Sequence, residues 1–540
     1  MNTPVTTDSV AEPAPTSSRR AALGLAAAGG LALSSVGQAA TALAAPPVIP
    51  MAPVMPDWIS DLAGGLDMKS TRAWHLARRV APAPTKAVMN EIKALGYNGW
   101  IDRQLKPKKI SDAKADGLVK KYLSFATMTG KQVVKASNNQ PWKAGKALSI
   151  SRTVRHVFTK RHLYESMVDT MGDHLYVAAE GKVEDLVAWY DWAVLRKYAL
   201  GKYSQMLYAA MRHPAMLVYL DNHLNSRDNP NENLGRELLE LHTVGVDSYT
   251  EADVRQSALI LTGHGYHWEK RAYRYEPSQH HTGPVKVMGF THPNATAADG
   301  PAVLKAYLSY LSHHPATAHQ VALRLAVRYV SDNPPAALVD RLARVYLDNG
   351  TELAPVMRTL LRSQEFIDSV GEKWKRPQET MATMIKARKP STLKPAAKQT
   401  GNIWNITGNV QWLLYLENHQ PRMWPVVNGY PDQAQDWMAT QALLAHFYTA
   451  NARVNWGNDK EFPSKSWASA LGVTKGMTAQ EAAAKISTDL TGFTWNAKHL
   501  ALVTARIKGD GPTKLTADQI KYNLGKTIHF VLCSPYFKIR

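Results

Sequence analysis

The sequence of 540 residues holds one cysteine, Cys533. An intramolecular disulfide is therefore impossible, and a metal site built on paired thiolates is excluded. Long apolar runs are missing too. Nothing downstream of the N-terminus reaches the roughly 18 consecutive apolar residues that suggest a membrane span. There is no Gly-rich phosphate loop, no Gly-x-Ser-x-Gly elbow and no His-Glu-x-x-His, so the usual signatures of P-loop enzymes, α/β-hydrolases and zinc proteases are absent. Acidic residues are short beside basic ones, 44 against 64, for a formal net charge of +20. Such a field attracts polyanions such as wall polymers, acidic polysaccharide or lipid headgroups, and it also keeps a protein soluble. Lysines near Trp142 and Trp374 come with no recognised nucleic-acid module, so nucleic acid is not an expected partner.

What is present is ordinary globular composition, 45% apolar and 20% charged. That is chain enough for one large or two medium cores. Ser18-Arg19-Arg20 precedes an Ala/Gly/Leu run to about Leu33, and Ala42-Leu43-Ala44 is an Ala-x-Ala cleavage signal. Together they predict a twin-arginine-type signal peptide over 1–44 and a secreted, periplasmic or cell-envelope location. A Pro-rich linker over 45–70 follows. That export route carries folded proteins, so a cofactor inserted beforehand is permitted.

Beyond residue 70 the pattern is helical almost throughout. Val88, Ile92, Leu95, Trp100, Ile101 and Leu105 keep near-helical spacing, with Gly96 an interruption. Longer helical patterns cover about 150–178, 183–212 and 231–245, and another runs over 253–262 with Thr250 as N-cap. Residues 263–300 break the period. "GYHWEKRAYRYEP" alternates like a hairpin, and a loop rich in Gly, Pro and His follows. Helix resumes at Ala302 and again after Pro334-Pro335. Residues 373–400 read as a basic, Pro-interrupted connector, and 439–452 as helix. "LLRSQEF" and "VLCSPYF" share Leu-x-Ser-x-x-Phe, which fits either a degenerate duplication or chance. The expected fold is all-α, a multi-helix globular array with one small β-hairpin/loop insertion. Its expected parts are an N-terminal helical domain, 71–300, and a C-terminal one, 301–540.

The densest chemistry lies in "NPNENLGRELLELH", residues 229–242. Asn231 is the natural N-cap, and Glu232 suits the positive end of the helix dipole. Leu234, Leu238 and Leu241 form an apolar stripe, with Asn233, Arg236, Glu237 and Glu240 on an adjacent face. One reading is a capped amphipathic helix with an exposed Arg236–Glu240 pair. The other is a pocket wall, which explains Asn231 and Asn233, poor helix formers that a solvated face does not need. In "RHLYESMVDTMGDHL", His162, Glu165, Asp169 and Asp173 share a helix face, with His174 to one side. That stripe fits a solvated face or, with the first helix, a site for a divalent metal, although the Glu-x-x-His order of di-iron bundles is absent. Glu237 and Glu240 project from one side of a helix, so acid/base work across a bond needs a carboxylate from elsewhere, Asp221 or Asp173. The loop histidines His264, His267, His280, His281 and His292 lack zinc spacing.

These pieces resemble a bacterial family called domain of unknown function 1800. The resemblance rests on "NENLGRELLELHTVGV", the flanking "HPAMLVYLDN" and "YTEADVRQSALILTGHGY", the loop "GPVKVMG", "HHPATAHQVALRLAVRYVSDNPP", "QPRMWPVVNGYPDQAQDWM" and the terminal "SPYF". It runs from about residue 72 to the C-terminus. It implies a mostly helical, usually exported protein, often encoded beside a sulfatase-like exported protein, with no settled activity. Matching positions include Asp221, Asn231, Asn233, Arg236, Glu237, Glu240, His242, His280 and Lys286. Two places depart from the family pattern: Thr170 to Leu175 replaces Phe-Trp-x-Asn-His-Phe, and His280-His281 replaces His-Asp.

The resulting expectation is a hydrolase acting on a cell-envelope or extracellular polymer, carbohydrate or anionic ester. Glu237, Glu240, Asp221 and His174 are its candidate catalytic residues. Asn231, Asn233, Arg236, His280 and Lys286 are its candidate substrate-binding residues. The alternative is a non-catalytic exported partner for a sulfatase-like protein or an anionic wall polymer, with the polar cluster a buried, self-satisfied network.

Overall fold

A computed structural model describes residues 69–138, 140–394, 408–455 and 461–540. The expected signal peptide and nearly all of the linker lie outside them. The chain is built of helices from Arg72–Val80 to Pro535–Lys538, with two small antiparallel hairpins as its only sheets among the described residues. The all-α expectation holds, and none of these helices is long and apolar enough to cross a membrane.

Local sequence starts many of the helices. Thr129, Thr250, Thr478 and Thr516 each close a capping box with the residue three positions on. Each box satisfies backbone N–H groups that a helix start leaves open. The expected hairpin pairs His264–His267 with Ala272–Tyr275. A second hairpin, inside the Gly/Pro/His loop, pairs Val285–Val287 with Phe290–His292. It turns on Met288 and Gly289, both at positive φ, as a two-residue turn between twisted strands requires. The Leu-x-Ser-x-x-Phe echo is structural. Ser363 and Ser534 each separate a longer helix from a short one, and Phe366 and Phe537 are wholly buried.

Helix Pro377–Ala387 lies inside the stretch expected to be a connector. It is buried on nearly every side, from Pro377 to Ile385. A helix covered all round carries no amphipathic period, so the basic flanks Lys373, Lys375, Arg376 and Arg388 dominated the pattern. Three apolar clusters make the core: one from Trp74 to Phe366, one from Met384 to Ile539, and one joining helices Ala113–Tyr122 and Trp142–Phe158 to Pro377–Ala387 and Gly408–Leu416. Two of the three draw on both sides of residue 300. Helix His162–His174 runs through this mass with eleven of its thirteen residues buried.

Candidate functional site

Helix Asn233–Glu240 begins one residue later than the capping signal suggested, with Glu232 at the cap position. Asn231 still accepts from the Asn233 N–H, at 3.0 Å. Its own N–H donates to Asn225 Oδ1 (2.9 Å), Asn225 donates to Asn222 Oδ1 (3.1 Å), and Asn222 donates to the carbonyls of Leu261 and His264. The asparagines thus form a ladder that fastens this turn to helix Glu251–Leu261 and the first hairpin. Arg236 turns outward to Glu251 (2.6 and 2.7 Å) and Glu232 (3.2 Å), leaving Glu240 unpaired with it. Leu234 and Leu238 are buried, as the stripe required.

Other candidates go elsewhere. Asp221 sits at positive φ and pairs with Lys182 at 2.9 Å. His280 is buried, with Nδ1 2.8 Å from the Thr262 carbonyl and Nε2 2.9 Å from Asn294 Oδ1. Lys286 is exposed on the second hairpin, and Asn233 is exposed at the helix start. The structure does not bring Asp221, Asn231, Asn233, Arg236, His280 or Lys286 to one place. His281 supplies its backbone N–H to Thr262 Oγ1 (2.8 Å) and its carbonyl to Asn294.

Glu240, His174 and Asp173 do come together. They line a cleft of about 340 Å3 with Thr170, Arg324, Arg376 and the segment Asn428 to Asp436. Glu240 is partly buried and accepts from the Tyr249 hydroxyl at 2.7 Å. One turn back, burial and the Glu240 charge push the Glu237 carboxyl up to about 7. Burial and Arg324 hold His174 neutral; its Nε2 lies 2.9 Å from the Tyr203 hydroxyl, while Nδ1 has no partner. At the cleft mouth the exposed Asp436 carboxyl is raised by partial burial and by Asp332 and Asp432.

The acid stripe of helix His162–His174 faces neither water nor a metal-ligand set. Arginines from neighbouring elements meet each of its acids. Glu165 takes both terminal nitrogens of Arg196 (2.9 and 2.5 Å), Asp169 takes Arg152 (3.1 Å) and His156 (2.6 Å), and Asp173 takes Arg376 (2.6 Å). Burial works to raise Glu165, but Arg196 and its neighbours outweigh it and hold the carboxyl at about 2. A π-turn over Asp191–Leu195 sets Asp191 against Arg152 at 2.5 Å. The network continues through Arg328 to Glu379 (2.8 Å) and Asp432 (2.9 Å), and Arg376 also reaches Asp432 (3.2 Å). Behind the cleft this network leaves only about 20 Å3, room for about one water. Among the described residues no three His, Cys, Asp or Glu side chains are grouped as a metal ion needs.

Gly429 lets the segment lie flat on the end of helix His162–His174. Its φ is +74°, and a Cβ there would sit 2.3 Å from the Asp173 carbonyl oxygen. Arg324, half-buried, differs from the buried arginines around it. It lines the cleft, and its guanidinium forms no ion pair or hydrogen bond with any described residue. Burial lowers its pKa, and Asp173 acts on it only at longer range.

Sequence reasoning missed Arg324, Arg376, Asp432 and Asp436. A signal existed for the first: Arg324 and Arg328 stand one turn apart among Val321, Ala322, Leu325 and Ala326, where a charge needs a partner or a ligand.

The family comparison covers this whole arrangement, matching from residue 75 to residue 539. The chain belongs to the DUF1800 family. That family's description is "protein of unknown function". The chain matches no curated protein and no solved structure. Within the matched range, helix Asn233–Glu240 supplies the Glu240 wall, "VVNGYPDQ" contributes to the cleft, and "GPVKVMG" carries the first strand and turn of the second hairpin.

Proposed function

We propose that the cleft between Glu240 and Asp436 is the active site of a hydrolase acting on an anionic ester or charged polysaccharide. Glu240 activates water, Asp436 protonates the leaving oxygen, and Arg324 holds the anionic group of the substrate. The observation that carries this reading is Arg324. Arg152, Arg328 and Arg376 each meet a carboxylate, whereas Arg324 has none and lines a cleft with room for a ligand. A half-buried guanidinium with no ion pair is open to an anionic ligand, whose oxygens its planar fork suits. The arginine pair and the Ala-x-Ala signal near the N-terminus support export, with a cell-envelope polymer as the natural substrate.

The test is turnover of the purified full chain against phosphate monoesters, sulfate monoesters and anionic polysaccharide. Glu240→Gln is expected to lower kcat by about 10²–10⁴ with folding intact, the usual contribution of a positioned acid/base group. Arg324→Met is expected to raise KM for charged substrates only. Undiminished turnover in Glu240→Gln would sink the reading.

One observation favours a second reading. The ion-pair network behind the cleft is closed, as it would be in a non-catalytic partner of a sulfatase-like protein or an anionic wall polymer, whose cluster serves to hold helices in register. Under that reading Glu240→Gln changes stability or partner affinity, and no substrate is turned over.

A further inference from the structure

A second cavity, about 500 Å3, opens at the other end of helix His162–His174, about 18 Å from the cleft at 1.5 Å per residue. Its wall comes from the start of helix Lys86–Leu95, the ends of Trp142–Phe158 and Pro377–Ala387, and the short helix Trp467–Leu471. Three polar atoms, two from these elements and one from the start of helix His162–His174, are buried in that wall with no hydrogen-bond partner: Thr85 Oγ1, Lys386 Nζ and His162 Nδ1. Thr85 stands at a helix cap position yet makes no capping bond.

Asp112 and Glu91 act on Lys386 only at longer range, and no nearby acid pairs with it. Glu91 pairs with Arg103 at 3.2 Å, and Asp489 pairs with Lys86 and Lys485, each at 3.1 Å. Asp112 accepts from Thr159 Oγ1 and the Lys160 N–H, both at 2.7 Å. Lys114, Lys160 and Lys389 also line the cavity without a carboxylate partner. The apolar side chains of Val157, Phe158 and Leu471 line the same cavity, with Lys114 Nζ 4.7 Å over the Phe158 ring. A buried ammonium with no partner costs stability, and methionine would fill the same space without that cost. The charge therefore points to a ligand.

We propose that this cavity binds a small amphiphilic oxyanion: Lys386 and Thr85 take the anionic head, and Val157, Phe158 and Leu471 take the apolar body. Rotation of the terminal Lys386 torsions brings Nζ to the head. Burial pushes the Lys386 amine down to about 8, so it still carries substantial charge at neutral pH.

The test is calorimetric titration of the full chain with n-octyl phosphate, n-octyl glucoside and inorganic phosphate. Octyl phosphate is expected to bind one to one, at least tenfold more tightly than either the neutral glucoside or the free phosphate. Lys386→Met is expected to weaken octyl phosphate binding at least tenfold while raising the thermal midpoint of the ligand-free protein. Thr85→Val, near in size and lacking the hydroxyl, is expected to weaken binding severalfold, and it keeps the test decisive if Lys386→Met does not fold. Arg324→Met, which removes the anion-holding group of the cleft, is expected to keep one-to-one octyl phosphate binding that depends on Lys386, which separates this site from the cleft. Equal binding of octyl glucoside would mean an apolar cavity without an anion site. Equal binding of inorganic phosphate would remove the amphiphile, and unchanged affinity in both variants would overturn the proposal.

Discussion

Replacing Arg376 with methionine should be among the most damaging single changes in the cleft, and the structure says why. The guanidinium holds Asp173 at 2.6 Å and Asp432 at 3.2 Å, and it reaches the Tyr430 carbonyl at 3.4 Å. Asp432 keeps Arg328 at 2.9 Å when Arg376 is lost. Asp173 has no other ion pair among the described residues and is left as a buried, uncompensated carboxylate. Breaking a buried pair in this way costs about 3–5 kcal/mol, more than the pair itself contributes. The converse change, Asp173→Asn, leaves Arg376 with Asp432 and keeps an amide oxygen as acceptor. Its expected cost is about 1–2 kcal/mol, that of a weakened hydrogen bond. The double variant should recover about 1–3 kcal/mol relative to additivity, as contacting residues do. Urea unfolding followed by circular dichroism reads all three. Equal costs for the two single variants, or a cost below about 1 kcal/mol for Arg376→Met, would mean that solvent screens the pair and that the network is not a buried one.

Glu237 gives a pH signature. Its carboxyl, at about 7 folded against 4.5 unfolded, binds its proton more tightly in the folded state, so its stabilising contribution is full below pH 4.5 and lost as pH rises through 7. Glu237→Gln should flatten the stability profile over that window by at most about 3 kcal/mol, and a profile unchanged by the substitution would refute the burial assigned to Glu237. Lys386 runs the opposite way at higher pH. Depressed to about 8 from 10.5, it adds stability above pH 10.5 that is lost as pH falls through 8, and Lys386→Met should abolish that slope in denaturant midpoints. Gly429→Ala forces a Cβ against the Asp173 carbonyl at positive φ, so it should cost at least about 1 kcal/mol in urea unfolding and displace the cleft wall. A neutral Gly429→Ala would show that the segment does not press on the helix end.

Local signals in the sequence were read well, and long-range ones were not. Thr250 with Asp253 announces a helix start, aromatic alternation announces the first hairpin, and the Leu234–Leu238 stripe announces a buried face. Each depends on neighbours a few residues apart. Helix Pro377–Ala387 escaped because burial on all sides erases the period that reveals amphipathic helices. At the site, Glu240 and His174 were legible as polar residues on apolar helices. The partner of Asp173 was not, because Arg376 lies 203 residues away along the chain and nothing local encodes that distance. Asn231 misled for a different reason. Asparagine at a helix start serves a ligand and a backbone ladder equally well, and only the carbonyl partners separate the two roles.

The acid stripe of helix His162–His174 shows what charge totals can and cannot decide. Three carboxylates on one helix face look alike in sequence whether they meet water, a cation or arginines. A divalent ion needs acids that other charges leave uncompensated. In a chain with 64 basic and 44 acidic residues, a buried acid finds arginine competing for it at every turn. Arginine wins inside because its planar fork can satisfy both carboxylate oxygens, as Arg196 does for Glu165. The pairing matches each of Asp169, Asp173, Glu379 and Asp432 with a basic group. Arg324 and Lys386 form no ion pair, and each lines a cavity. A chain with so many basic residues has no shortage of cations to place in the solvent. Placing two half-buried cations beside open volume with no ion pair is the arrangement expected of sites that take up an anion.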